Sequence, residues 1–112
     1  MSNDLVEQYA ACAKRHGQAT QLGDSRSANA AHDGLCEVFK KLKGSGELGC
    51  LEPLLQDPDV HVRCWAATHY LSVDKRKAAK ALKALCKGRG IAAFNAQTVL
   101  AEWRAGRLKF PE

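Results

Sequence analysis

Two cysteines and two histidines near the start of the chain are side chains of the kinds that bind zinc. Cys12 and His16 are four residues apart, as are His32 and Cys36, so each pair shares one face of a helix. If the two helices form a hairpin that turns near residue 24, Cys12 lies level with Cys36 and His16 with His32, and four zinc ligands could converge. The spacing matches no zinc motif, however, and Cys36 is rotated away from the apolar stripe. We therefore expect buried thiols and packed histidines here, with no metal and no cofactor.

Catalytic patterns are missing from the sequence. It contains no G-x-S-x-G, P-loop or H-E-x-x-H motif. His32 and Asp33 are adjacent, so on a helix they point about 100° apart and cannot act as a dyad. His61 and Cys64 are near each other but lack an identifiable third group to orient the base. The sequence predicts a protein that is not an enzyme.

A row of basic residues is suited to binding anions. Arg76, Lys80, Lys83 and Lys87 follow at spacings of four, three and four residues, which places them on one face of a helix. Like charges at this spacing repel one another. The row therefore either binds phosphates or an acidic protein, or is the solvated outer face of a helix.

The charge of the chain is unevenly distributed. Residues 1–74 carry 7 basic and 10 acidic side chains, a balance of −3, whereas residues 75–112 carry 10 basic and 2 acidic, a balance of +8. This asymmetry favours nucleic acid or an acidic partner near the C-terminal half.

A second candidate set surrounds a tryptophan. His61, Trp65 and Thr68 share one side of the fourth predicted helix, and Asn95 and Glu102 share one side of the sixth. The second helices of stacked hairpins often line a concave surface, where a Trp ringed by polar groups makes a hot spot for protein binding. The alternative is that Trp65 packs in the core. We predict that these five residues contact a protein partner.

Composition indicates one helical domain spanning residues 1–112. Hydrophobic residues make up 46% of the chain, which suffices for a single core. No run of 18 apolar residues occurs, so we expect no membrane span, and the first residues lack the features of a signal peptide. The five cysteines include no C-x-x-C pair, which fits reduced thiols in a cytoplasmic protein.

Six amphipathic segments alternate with breaks that contain glycine, proline or aspartate. Apolar residues recur at helical spacing in residues 4–22, 25–43, 47–56, 60–71, 75–87 and 91–105. Candidate N-caps precede three of these segments: Asp24 or Ser25, Asp59 and Asp74. Pro53 is best accommodated in a first turn, so the third helix is expected to begin near Leu51.

The last four helices form two similar hairpins, the pattern of a HEAT-type repeat. In the first helix of each hairpin, three apolar positions align at an offset of 31 residues: Leu51, Leu54 and Leu55 with Leu82, Leu85 and Cys86. In the second helix of each hairpin, three more align at an offset of 29 residues: Val62, Ala67 and Leu71 with Ile91, Ala96 and Leu100. The first two helices supply a divergent third hairpin, enough to close a core. The predicted fold is all-α: a short, right-handed HEAT-like solenoid of about six helices in three antiparallel hairpins.

Four segments carry a family resemblance: Gly23-Asp24-x-Arg26-x-Ala28-Asn29-x-x-His32-Asp33, Leu54-Leu55-x-Asp57-Pro58-x-Val60-x-Val62-Arg63, Trp65-Ala66-Ala67, and Glu102 to Pro111. In these the chain resembles a bacterial HEAT-like domain-of-unknown-function family of about this length. The resemblance implies the same fold and brings no catalytic residues. It also implies that a turn aspartate, Asp57 or Asp59, pairs with Arg63. Bacterial HEAT-like proteins include scaffolds, DNA-binding repair proteins and toxin-neutralising immunity proteins.

We therefore predict a cytoplasmic, non-enzymatic protein-interaction module that binds and inhibits a partner protein, such as a toxin, in the manner of an immunity protein. The alternative is a nucleic-acid-binding HEAT-like protein that uses the basic row on phosphates. Neither hypothesis involves a membrane or a cofactor.

Overall fold

The computed structural model describes residues 2–111, and in this range the protein is all-α with no strand. Each α-helix begins and ends within two residues of its predicted bounds. The helices are α1 (Ser2–Gln21), α2 (Ser25–Gly44), a 3₁₀ helix (Leu48–Gln56), α3 (Val60–Tyr70), α4 (Lys75–Cys86) and α5 (Ile91–Arg104). The prediction of an all-α fold with six helices is confirmed.

Aspartate side chains begin three of the helices, because the first N–H groups of a helix have no partner within it. Asp24 accepts a hydrogen bond from the backbone of Ser27 at the start of α2. Asp59 and Asp74 each accept two backbone hydrogen bonds at the starts of α3 and α4. The predicted N-caps are therefore present, and Asp24 rather than Ser25 caps α2.

The third helix differs from its prediction in type and in start. It is a 3₁₀ helix and begins at Leu48, not near Leu51. Pro53 lies inside it and has no N–H to donate, which disfavours an α-helical interior. In a 3₁₀ helix residues three apart lie on one side, and Leu51 and Leu54 are both buried at this spacing.

The core forms around α3, which contacts the 3₁₀ helix, α4, α1 and α5. Val62, Ala66 and Ala67 of α3 are fully buried. The small alanine side chains allow neighbouring helices to approach α3 closely on more than one side. The first two helices pack against each other as a hairpin, and α1 of that hairpin lies beside α3. This arrangement places α1, α3 and α5 next to one another.

The turn before α3 corrects the expected pairing of Arg63. Its guanidinium donates to the carbonyl oxygens of Asp57 at 2.7 Å and Pro58 at 3.3 Å, and not to a carboxylate. The Asp57 carboxylate instead accepts the N–H of Asp59, and the Asp59 carboxylate caps α3. Both acids are thus engaged by backbone N–H groups, and the arginine ties the turn to the helix through carbonyl oxygens.

None of the helices in residues 2–111 is both long enough and apolar enough to cross a membrane.

Candidate functional site

A cleft of about 280 Å³ lies where α1, α3 and α5 meet. Helix α3 forms its floor with Cys64, Trp65 and Thr68, of which Cys64 and Thr68 are buried. The remaining lining comes from the two flanking helices and the start of α3: His16, Gly17, Thr20, His61, Ile91, Asn95, Thr98 and Val99. The cleft therefore combines an apolar floor with several polar groups.

Trp65 is partly buried at the base of this cleft and is surrounded by histidines. Its ring centroid lies 5.1 Å from that of His16, 5.5 Å from that of His32 and 5.6 Å from that of His69. The His16 ring meets the indole edge-on, a favourable geometry for aromatic groups. These contacts from α1, α2 and α3 fix the indole, so the cleft has a rigid aromatic base.

Two histidines of this cluster, His16 and His69, are held in the neutral form. Burial, with a smaller contribution from the nearby His32, lowers the pKa of His69 to about 3. Its Nδ1 shares a 2.7 Å hydrogen bond with the hydroxyl of Tyr9, which is also buried. Burial also lowers the pKa of His16, and repulsion from His32 and His61 adds to the effect. At neutral pH the cleft is therefore not positively charged at these rings.

Three threonines give the cleft a hydrogen-bonding character. Thr20, Thr68 and Thr98 each donate their hydroxyl proton to the carbonyl oxygen four residues earlier in their own helix, at 2.8, 2.7 and 3.1 Å. A hydroxyl engaged in this way still has lone pairs that accept hydrogen bonds. Asn95 adds an amide that both donates and accepts. A bound group would accordingly meet mainly acceptors.

The structure brings together four of the five residues predicted to contact a protein: His61, Trp65, Thr68 and Asn95. Glu102 is not among them. It lies nearer the C-terminal end of α5, where it forms an ion pair of 2.7 Å with Arg107. The contribution of α1 was not predicted. The sequence feature that could have indicated this contribution is Gly17, a glycine in the middle of a helix. A methyl group at this position would overlap the His61 ring, so the glycine allows α1 to lie close to α3.

The four candidate zinc ligands do not form one cluster. The ring centroids of His16 and His32 are 6.4 Å apart, and Cys36 Sγ lies 3.7 Å from His32 Nε2. Cys12 is buried, with its sulfur packed close to Gly34. Among the residues that the structure describes, no three His, Cys, Asp or Glu side chains are placed to hold a metal ion.

The cysteines are all free thiols. Burial raises the pKa of Cys64, at the floor of the cleft, to about 11. A thiol with so high a pKa is protonated at neutral pH and is a poor nucleophile.

A basic groove lies between α4 and the end of α5. It is lined by Lys75, Arg76, Ala79, Lys80, Lys83, Ala84 and Lys87 of α4 and by Trp103 and Arg104 of α5. All four residues of the predicted basic row belong to this set. The groove has a larger volume than the cleft, about 640 Å³. The sequence did not predict that Trp103 lines it.

No protein-family model and no curated protein matches the chain. Among solved structures, the chain is similar to the crystal structure of the protein RPA1889 from Rhodopseudomonas palustris CGA009. The TM-score is 0.90 and the sequence identity is 24%, with 97% of this chain and 93% of that chain covered. At this identity the likeness establishes the fold alone, an all-α fold that occurs in a bacterial protein.

Proposed function

We propose that the protein is a non-enzymatic interaction module that binds a partner protein in the cleft between α1, α3 and α5. The observation that carries the proposal is the placement of Trp65, partly buried at the base of the cleft and surrounded by polar groups. Residues that dominate protein interfaces are commonly aromatic and lie in pockets that lose water on binding.

The surface beside the cleft supports the same function. Phe94 on α5 is 66% exposed, and it is four residues from Thr98 at the cleft wall, so the two lie on neighbouring parts of the helix surface. A large exposed aromatic residue beside an aromatic cleft enlarges the apolar area that a partner would cover.

The chemistry of the cleft indicates what the partner inserts. Its base is aromatic and its threonine hydroxyls accept hydrogen bonds. The side chain that suits it is apolar along its length and has a donor at its tip, as in tyrosine or tryptophan. Such residues are also enriched at protein interfaces.

The helical hairpins support a HEAT-like reading of the fold, in which stacked hairpins present a binding surface. We further propose that binding inhibits the partner, as an immunity protein inhibits its toxin, since occluding an active site requires complementarity and no chemistry.

The test is affinity capture from nuclease-treated native lysate with three forms of the protein. Thr98→Arg blocks the mouth of the cleft from an exposed position, and Ala101→Arg adds the same charge to an exposed position of α5 outside the cleft. We expect one protein to be captured by the wild type and by Ala101→Arg but not by Thr98→Arg. Equal capture by both variants would exclude the cleft as the binding site.

The inhibitory role has its own readout. The activity of the captured partner is measured with added wild type and with added Thr98→Arg. If the partner loses activity with the wild type but keeps it with Thr98→Arg, the result supports inhibition. Full activity of the complex limits the function to binding.

A further inference from the structure

The positive charges of the basic groove destabilise the helix that carries them. Arg76, Lys80, Lys83 and Lys87 stand three or four residues apart along α4, and like charges at these spacings destabilise a helix. The first turn of α4 adds Lys75 and Lys77 to Arg76 and contains no acidic residue. Cations at a helix N-terminus are disfavoured by the helix dipole. Repulsion along the row and the cations at the helix N-terminus therefore both destabilise α4.

Among the described residues, no acidic side chain forms an ion pair with a residue that lines this groove. The ion pairs among the described residues are Lys77 with Glu52 and Arg107 with Glu102, and none of these four residues lines the groove. The nearest acid in sequence, Asp74, accepts hydrogen bonds from the N–H groups at the start of α4. The charge of the groove is thus available to a ligand.

The row has the length and regularity of a short strand of phosphates. From Arg76 to Lys87 the helix rises about 16 Å at 1.5 Å per residue. Over this length one basic side chain stands on each turn of the helix, so the four can contact successive phosphates of one strand.

Trp103 distinguishes a nucleic acid from other polyanions. It is partly buried against the core and lines the groove across from the lysines of α4. An indole beside a row of cations provides a surface on which a base can stack, which is how proteins bind single strands without reading their sequence. The bases of a duplex are already stacked on one another and would not use it.

We propose that the basic groove binds single-stranded nucleic acid, with phosphates along α4 and a base against Trp103. This site lies apart from the cleft and does not depend on the function proposed for it.

The test measures binding of oligonucleotides of about ten nucleotides, as oligo-dT and as oligo-rU, to the whole chain. Trp103 fluorescence is followed in a Trp65→Phe background, which leaves one tryptophan. We expect saturable quenching by either oligonucleotide, and the tighter of the two identifies the natural type of strand. If six phosphate contacts form, affinity should fall roughly 300-fold between 50 and 200 mM salt.

Matched double variants locate the site. Lys80→Ala with Lys83→Ala should weaken binding roughly 20-fold at 100 mM salt and reduce the salt slope by about 1.4. Lys40→Ala with Lys41→Ala removes the same charge from exposed positions of α2 outside the groove and should change affinity by less than about threefold. Equal losses in the two double variants would mean a non-specific charge effect and overturn the proposal. So would tighter binding of a duplex or of poly-glutamate than of either single strand.

Discussion

His69 is a neutral histidine enclosed by aromatic side chains, and it makes the fold sensitive to acid. Its pKa is about 3 in the folded protein, whereas an unfolded chain has the ordinary value of about 6.5. Between these values the unfolded state binds the additional proton, so the free energy of unfolding decreases as the pH falls below about 6.5. The lowered pKa of His16 acts in the same direction.

We therefore expect the free energy of unfolding to fall between pH 7 and about pH 5, with a contribution from His69 of up to about 1.4 kcal/mol per pH unit. Urea unfolding at a series of pH values measures this dependence. The His69→Gln variant keeps a hydrogen-bonding group near Tyr9 but does not titrate, so its dependence should be shallower. An unchanged slope in this variant would show that another group controls the acid response.

The positions of the helices could be predicted from the sequence, because each helix is amphipathic and is bounded by a recognisable cap or break. The 3₁₀ geometry did not follow, since leucines three apart suit one face of either helix type and only the packing around Pro53 decides between them. The lining of the cleft by α1 was also not predicted. It depends on how the first hairpin meets α3, which is set by a contact between Gly17 and His61 that are 44 residues apart.

That contact gives a prediction for the α1–α3 interface. Replacing a mid-helix glycine by alanine ordinarily stabilises a helix by about 1 kcal/mol. In Gly17→Ala the new methyl group would overlap the His61 ring, so we expect a loss of about 1–3 kcal/mol, the usual cost of overpacking. Chemical denaturation measures the change.

The controls separate overpacking from helix propensity. Gly44→Ala, at the end of α2, meets no neighbouring atom within 4 Å and should not be destabilised in this way. Adding His61→Ala to Gly17→Ala should recover most of the loss. If the double variant is as unstable as the sum of the two single variants, the close approach of α1 to α3 is not the cause.

At the scale of the whole molecule, two surfaces of different chemistry share α5. The described lining of the cleft includes no Asp, Glu, Lys or Arg and has Trp65 at its base, whereas the groove is basic and is bordered by Trp103. Sequence periodicity placed the basic row on one face of α4, and the structure adds the tryptophan opposite it. Salt should therefore weaken the proposed binding at the groove far more than binding at the cleft, because only a polyanion bound at the groove would release counterions.

The charge of the groove also predicts a conflict between stability and binding. Lys83 has a like charge three residues before it and another four residues after it, and each such pair costs a few tenths of a kcal/mol. Lys83→Gln should therefore increase the free energy of unfolding at low salt, and the gain should shrink as salt screens the repulsion.

Lys77→Gln is the matched control, because Lys77 pairs with Glu52 outside the groove and its loss should not stabilise the protein. Denaturation and oligonucleotide binding measured on the same samples would then show greater stability together with weaker binding in Lys83→Gln. Greater stability without weaker binding would mean that the row is a solvated face, and that its charge serves no ligand.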